Sequence, residues 1–150
     1  MPVGKNFIID QSIIMTLNLP AIGTWILRLV AAFLLLQTLF FKFTGAEESI
    51  YIFSTLGMEP WGRIGTGVLE LIASILILYP RTTFIGAALG AGLMSGAIFF
   101  HLARLGIAVK DDGGLLFAYA LVVFISCVIL LFLYRGEINN ILKLIFKKSI

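Results

Sequence analysis

The sequence has few charged residues, and this scarcity excludes a soluble fold. Only 13% of its 150 residues are charged, whereas 60% are hydrophobic. A soluble domain carries about 25% charged and about 45–50% apolar residues, so this chain has too little polar surface to face water. Lipid must surround most of the chain, and its length predicts a single domain over residues 1–150. The net charge of +3 is small and does not call for nucleic acid as a partner.

Residues that bind metals or redox groups are also scarce. The sequence holds one cysteine, Cys127, and one histidine, His101. One cysteine excludes an internal disulfide and a CxxC redox pair, and one histidine excludes bis-histidine haem ligation within the chain. No group of histidine, cysteine and carboxylate residues has the spacing of metal ligands, so no metal site is predicted. The sequence also lacks a nucleotide-binding motif, and by itself it does not predict an enzyme.

Long hydrophobic segments, in contrast, are abundant. A helix that crosses the hydrocarbon core of a bilayer needs about 20 mostly apolar residues. Segments of this kind cover residues 20–41, 60–79, 82–102 and 115–134. They predict an all-α fold, namely an integral membrane four-helix bundle with short interfacial helices beside its four transmembrane helices.

Two amphipathic segments predict those interfacial helices. Residues 44–57 begin with Thr44 and Glu47, which have the spacing of a capping box at a helix start. The tail 137–150 mixes apolar residues with three lysines and predicts a basic amphipathic helix on an anionic leaflet, with a frayed polar tail as the alternative. The distribution of Lys and Arg between the two sides predicts a cytoplasmic (inner) membrane protein with both termini in the cytoplasm.

Two charged residues, Arg28 and Glu70, fall well inside the predicted spans. A charge at the bilayer centre costs about 2.5–3.5 kcal/mol on insertion scales, so it needs a partner or water. Arg28 lies eight residues past Pro20, and Glu70 lies nine residues before Tyr79 on an antiparallel helix. At about 1.5 Å per residue, both lie about 12–14 Å from the same end of the bundle. We therefore predict an interior Arg28–Glu70 ion pair, which either holds the helices in register or binds a ligand.

A second polar layer is predicted toward the other end of the bundle. Gln37, Lys42 and His101 fall near the outer ends of the first and third spans. Glu47 or Glu48 from the following loop can join them. A single histidine at this level is either a hydrogen-bonded anchor or a functional group, and the sequence leaves both open. These three residues form a candidate outer layer, in addition to the interior ion pair.

Small residues in the third span predict close helix packing. Gly86 and Gly90, and likewise Gly92 and Gly96, are four residues apart, a spacing that lets helix backbones approach closely in lipid. The two pairs point to different faces, so the third span should pack against two neighbours. Those neighbours are other helices of the chain or a second copy. The fourth span, residues 115–134, carries no charge and should face lipid or a partner.

Several of these residues follow one another in a characteristic order. The features are Arg28, Phe41-Lys42-Phe43, Gly67-Val-Leu-Glu70-Leu71, Arg81, the small-residue run to His101, and Asp112-Gly113-Gly114. This ordered set resembles the DoxX family of membrane proteins over about residues 20–135. The resemblance implies a four-helix bundle and a link to redox biology, since one member is a subunit of a thiosulfate:quinone oxidoreductase. It also implies chaperone-like relatives, and it offers no shared catalytic residue.

Three functions are compatible with the sequence. The first is a non-catalytic subunit of a membrane redox system, linked to quinone or sulfur chemistry, whose interior polar pocket could take a quinone. The second is a chaperone or scaffold for other membrane or exported proteins, with those proteins or a second copy as partners. The third is a small-solute transporter, which the predicted arginine partner of Glu70 disfavours because it would keep that carboxylate ionised.

Overall fold

The computed structural model describes residues 19–137, and these are all-helical apart from turns and loops. The four long helices are α1 (Leu19–Thr44), α3 (Trp61–Leu78), α4 (Thr83–Phe100) and α5 (Leu115–Leu133). A short helix, α2 (Glu47–Thr55), lies between α1 and α3, and a π-helical segment, His101–Leu105, extends α4. The four long elements are long and apolar enough to cross a membrane, which confirms the predicted all-α membrane bundle. The predicted amphipathic tail lies outside the described residues, except for Glu137.

The long helices pack as a ring. α1 packs against α3 and α5, and α4 packs against the same two helices, so α1 and α4 stand diagonally. The short helix α2 contacts α1, α3 and the π-helical segment, and it therefore covers one end of the ring. We call this the α2 end. The opposite end, where residues 79–82 connect α3 to α4, is the turn end.

The half of the bundle near the turn end is closely packed around Gly86 and Gly90 of α4. A Cβ atom at Gly86 would lie 2.5 Å from the backbone nitrogen of Ile77, and one at Gly90 would lie 2.9 Å from Sγ of Cys127. Real Cβ atoms do not approach other atoms so closely, so any side chain here would push α4 away from α3 and α5. This glycine pair therefore makes the close helix contact that its spacing predicts.

The second glycine pair of α4 does not make such a contact. A Cβ atom at Gly92 or Gly96 would meet nothing within 4 Å, and both residues border an interior cavity. α4 does pack against two neighbours, as predicted, but Gly92 and Gly96 make no close contact with another helix of residues 19–137. At Gly86 and Gly90 the missing side chain permits close helix contact. At Gly92 and Gly96 it leaves open space.

The predicted capping box of α2 is also absent. Its N-cap is Ala46, which makes no side-chain cap hydrogen bond. The hydroxyl of Thr44 instead donates to the carbonyl of Phe40 at 2.6 Å, in the last turn of α1. Gly45, with a φ of 70°, then separates the two helices. Thr44 belongs to the end of α1, because that helix continues further than its hydrophobic segment.

Candidate functional site

Arg28 lies near the turn end and is buried, with 1% of its surface exposed. Its Nε donates to the carbonyl of Ile77 at 2.7 Å, and its Nη2 donates to the carbonyl of Leu78. The last carbonyls of a helix have no partner within the helix, and a cation there also interacts favourably with the helix dipole. The Trp25 ring centroid lies 3.9 Å from the guanidinium carbon. Arg28 therefore closes the C-terminal end of α3.

Glu70 pairs with Lys42 of α1, toward the α2 end. Both carboxylate oxygens accept hydrogen bonds from Nζ of Lys42, and Oε2 lies 2.9 Å from the hydroxyl oxygen of Thr38. Nζ also lies 3.4 Å from that hydroxyl. Glu70 is 4% exposed. These residues form the Lys42–Glu70–Thr38 cluster, in which opposite charges cancel and each of the three ammonium protons has an acceptor within reach.

The predicted Arg28–Glu70 ion pair is therefore wrong, and the direction of helical side chains explains why. Side chains on a helix lean toward the N-terminus of their own helix. Because α1 and α3 are antiparallel, the guanidinium group leans toward the turn end while the carboxylate leans toward the α2 end. The carbonyl of Ile77 that binds Arg28 lies seven residues beyond Glu70, about 10 Å along the helix axis. Lys42, predicted for a separate layer, is the residue that reaches Glu70.

Two neighbouring contacts hold Lys42 against α3. Arg63 donates from Nη1 to the backbone carbonyl of Lys42, while Glu59 fixes the same guanidinium group with a 2.7 Å ion pair. A Cβ atom at Gly67 would lie 3.2 Å from the Phe43 ring and 3.6 Å from Cβ of Lys42. The missing side chain thus lets α1 approach α3 just before the carboxylate. This gives a physical reason for a glycine three positions before that residue.

A cavity of about 850 Å³, partly open to the surface, lies in the half of the bundle toward the α2 end. All four long helices, α2 and the loop between α4 and α5 contribute to its wall. Its volume falls within the range of about 300–1,000 Å³ that is usual for small-molecule sites. Most of the lining residues are apolar. The polar ones are Gln37, Thr38, Lys42, Glu48, Ser49, Thr66, Glu70, His101, Asp112 and Tyr119.

Three of the polar lining residues lie at the α2 end of this cavity. Glu48, His101 and Asp112 come from α2, from the π-helical segment and from the following loop, all at the α2 end. The wall nearer the middle of the bundle includes Leu35 and Val123, which also belong to the hydrophobic core. A molecule with a polar head and an apolar body would match this distribution, with its head toward the α2 end.

Gln37 lines the cavity and carries an unsatisfied hydrogen-bond donor. Its side-chain nitrogen is buried and has no hydrogen-bond partner within residues 19–137. Leaving such a group unpaired costs about 1–3 kcal/mol, so a partner that accepts a hydrogen bond from it would recover that cost. Gln37 is therefore the residue of the predicted outer layer that most directly indicates a ligand.

His101 begins the π-helical segment and is 5% exposed. Its Nδ1 lies 2.8 Å from the carbonyl oxygen of Gly106, and its ring lies against Phe117 with centroids 5.6 Å apart. A carbonyl only accepts hydrogen bonds, so Nδ1 must carry the proton. In the neutral ring, Nε2 is then a hydrogen-bond acceptor. π-helical turns are frequent at functional sites, and this one places a histidine at the wall of the cavity.

Asp112 shapes the cavity wall between α4 and α5. Its carboxylate accepts backbone hydrogen bonds from Val109 and Gly114 at 2.8 Å and from Leu116 at 3.0 Å. Burial acts to raise the pKa of Asp112, but these three donors and the nearby His101 outweigh it, and the pKa lies below its usual value. The ionised carboxylate thus fixes the loop and the first turn of α5.

Four of the five predicted site residues line the same cavity. Gln37, Lys42, Glu70 and His101 are brought together there, whereas Arg28 is not among the lining residues. The structure therefore groups the polar residues differently from the prediction. Glu70 joins the outer layer, and the arginine alone remains at the turn end.

Sequence reasoning missed Thr38 and Tyr119 as lining residues. Thr38 lies four residues before Lys42, so the two share one face of α1, and this spacing could have identified it. Tyr119 lies within an almost uniformly apolar helix, and its polar tip gave no such pattern. Within residues 19–137, no three or more His, Cys, Asp or Glu residues are grouped to hold a metal ion.

Comparison with known proteins identifies the family. The model of the DoxX-like family matches residues 26–130, a segment that extends from α1 into α5 and contains all five predicted site residues. No curated protein and no solved structure matches the chain. The family match covers well over half of the chain and agrees with the four membrane-spanning helices. The protein therefore belongs to the DoxX-like family and is a multi-pass integral membrane protein.

Proposed function

We propose that this protein is a non-catalytic subunit of a membrane redox system and binds a lipid-soluble quinone in its interior cavity. The observation that carries the proposal is the unpaired amide nitrogen of Gln37 at the wall of a large, mostly apolar cavity. A quinone has an uncharged head whose carbonyl oxygens accept hydrogen bonds, and an apolar tail. The head can accept a hydrogen bond from Gln37, and the tail can pack against the apolar residues of the wall.

The charges of the site favour an uncharged ligand. Lys42 and Glu70 satisfy each other and Thr38, so neither is available as a counter-ion unless their contact is broken. A charged head group would have to break that contact inside an apolar surrounding, which is costly. A neutral head group can bind beside the cluster and leave it intact.

The electron-transfer partner is proposed to be a separate protein. The chain has a single histidine and a single cysteine, and so it cannot supply a bis-histidine haem site or a CxxC pair of its own. In the orientation that the Lys and Arg distribution favours, both termini are cytoplasmic and the α2 end faces the outside. The quinone head would then lie near the outer surface of the cytoplasmic membrane.

The other two functions rank below quinone binding. A scaffold has no need of an interior cavity with an unpaired donor. A proton-coupled transporter needs a carboxylate that gains and loses a proton, and Glu70 is instead held by Lys42. Neither alternative requires a cavity of this size or the unpaired donor of Gln37.

A pair of glycine substitutions tests the proposal. Gly92 and Gly65 both lie in spanning helices, and a Cβ atom at either would meet nothing within 4 Å, but only Gly92 lines the cavity. We expect Gly92→Leu to fill part of the cavity and weaken quinone binding about tenfold or more, with Gly65→Leu unchanged. The measurements are a titration of the purified proteins with a short-chain quinone and quantification of quinone extracted from them. Equal binding by both variants, or no binding by the native chain, would contradict the proposal.

A further inference from the structure

We infer that the cavity distinguishes the two redox forms of its quinone and binds the reduced hydroquinone more tightly. This inference rests on the proposed function. It depends on the kinds of hydrogen-bonding groups that remain available at the wall, because the oxidised form only accepts hydrogen bonds while the reduced form also donates them.

The acceptor at the wall is the imidazole of His101. When the ring is neutral, its single proton lies on Nδ1 and is donated to the carbonyl of Gly106, so Nε2 has a lone pair and no proton. No other contact within residues 19–137 supplies a donor to Nε2. A quinone carbonyl beside this atom would place two lone pairs against each other, whereas a hydroquinone hydroxyl would donate to it.

The donor at the wall is the amide of Gln37. It lies on α1, and His101 follows α4, so the two groups come from diagonally opposed elements of the ring. A hydroquinone hydroxyl accepts as well as donates, so the reduced head can accept from Gln37 and still donate to Nε2 of His101. The oxidised head can satisfy Gln37 only. The reduced form therefore leaves fewer polar groups unpaired.

The remaining polar groups of the wall do not reverse this preference. The carboxylate of Asp112 already accepts three backbone hydrogen bonds, and the hydroxyl of Thr66 is bonded within its own helix. The hydroxyls of Ser49 and Tyr119 can donate or accept, so they suit both redox forms equally. Glu48, when ionised, only accepts, and it acts in the same direction as His101.

The expected size of the preference follows from one hydrogen bond. Because the oxidised head leaves the imidazole acceptor without a donor, we expect the reduced form to bind about tenfold more tightly. By linkage, a tenfold preference raises the midpoint potential of the bound two-electron couple by about 30 mV relative to the free couple. The protein would thus make the bound quinone a slightly stronger oxidant for its partner.

The experiment compares three ligands on the full chain in detergent. At about pH 8, decylubiquinone, its dithionite-reduced form and the dimethyl ether of the reduced form are titrated. The ether keeps the acceptor oxygens but has no proton to donate. We expect the reduced form to bind about tenfold more tightly than the other two, which should bind alike.

The variant His101→Asn separates the two nitrogen atoms of the ring. The amide nitrogen of asparagine can still donate to Gly106, but the side chain has no atom at the position of Nε2. We expect this variant to keep the melting temperature of the native protein. Its affinities for the reduced and the oxidised form should be nearly equal. The lipid-facing Gly65→Leu should retain the full preference, which controls for general effects of substitution.

The outcomes separate the inference from the proposed function. Equal binding of the oxidised and reduced forms by the native chain would overturn the inference while leaving quinone binding intact. A preference that persists in His101→Asn would also overturn it, because the imidazole could not then be its source. Failure of every form to bind would instead contradict the proposed function itself.

Discussion

Lys42 reaches from α1 to the carboxylate of Glu70, whereas Arg28 on the same helix contacts the carbonyls of Ile77 and Leu78 at the other end of α3. The two cations of α1 thus have different partners and different tasks. One forms part of the cavity wall, and the other closes a helix end.

Double-mutant cycles test this division of partners. Lys42→Met alone strands a buried carboxylate, and Glu70→Gln alone strands an ammonium group, so combining them should cost less than the sum of the single changes. We expect a coupling energy of about 1–3 kcal/mol for this pair, and additivity within about 0.5 kcal/mol for Arg28→Met with Glu70→Gln. Unfolding free energies in detergent supply the numbers. Strong coupling of Glu70 to Arg28 and none to Lys42 would show that the contacts are assigned wrongly.

At this scale the sequence identified the right polar residues but not all of their partners. Hydropathy makes Arg28, Lys42 and Glu70 stand out, because charges in apolar segments are rare. Their pairing depends on the lean of each side chain and on its reach, which for lysine and arginine spans about one helical turn. Positions of Cα atoms along the helix axis do not contain that information.

The helix α4 changes its role along its length. Toward the turn end, Gly86 and Gly90 allow close contact with α3 and α5, while Gly92 and Gly96 border the cavity. A glycine is therefore needed for opposite reasons at the two levels. The first pair removes a steric obstacle, and the second leaves volume for a ligand.

Alanine substitutions in this helix test the difference. At Gly86 a Cβ atom would lie 2.5 Å from the backbone nitrogen of Ile77 and 2.7 Å from the backbone carbon of Leu76. Backbone atoms cannot rotate away, so we expect Gly86→Ala to destabilise the protein by about 1–3 kcal/mol. Gly92→Ala, placed in open space, should be neutral or slightly stabilising because alanine favours the helix. Thermal melting in detergent measures both, and equal losses of stability would contradict the account.

The predicted limits of the spans show how polar signals mislead at the scale of elements. The first span was predicted to end at Phe41, before the charge of Lys42, yet α1 continues to Thr44. Lys42 lies inside the helix, because a lysine does not end an α-helix, and its ammonium group pairs with Glu70. The third span also continues past residue 102, through the π-helical segment to Leu105. Local hydropathy cannot register a partner that lies on another helix.

As a whole, the molecule is a ring of four helices that is closely packed at the turn end and hollow toward the α2 end. The number of helices and their membrane-spanning character follow from hydrophobic length alone. The cavity does not, because its volume depends on the separation of helices that are distant in sequence. A small residue in α4 is compatible with close helix contact and also with a cavity beside it. The sequence does not distinguish these two outcomes.

Photoaffinity labelling with an azidoquinone, followed by peptide mapping, tests the central claim most directly. The account predicts labels on cavity-lining residues of α4 and α5, such as Met94 and Tyr119, which an excess of unlabelled quinone removes and Gly92→Leu strongly reduces. Labels confined to exposed, lipid-facing residues such as Phe132 and Ile129, and insensitive to competing quinone, would show that the cavity is not a quinone site.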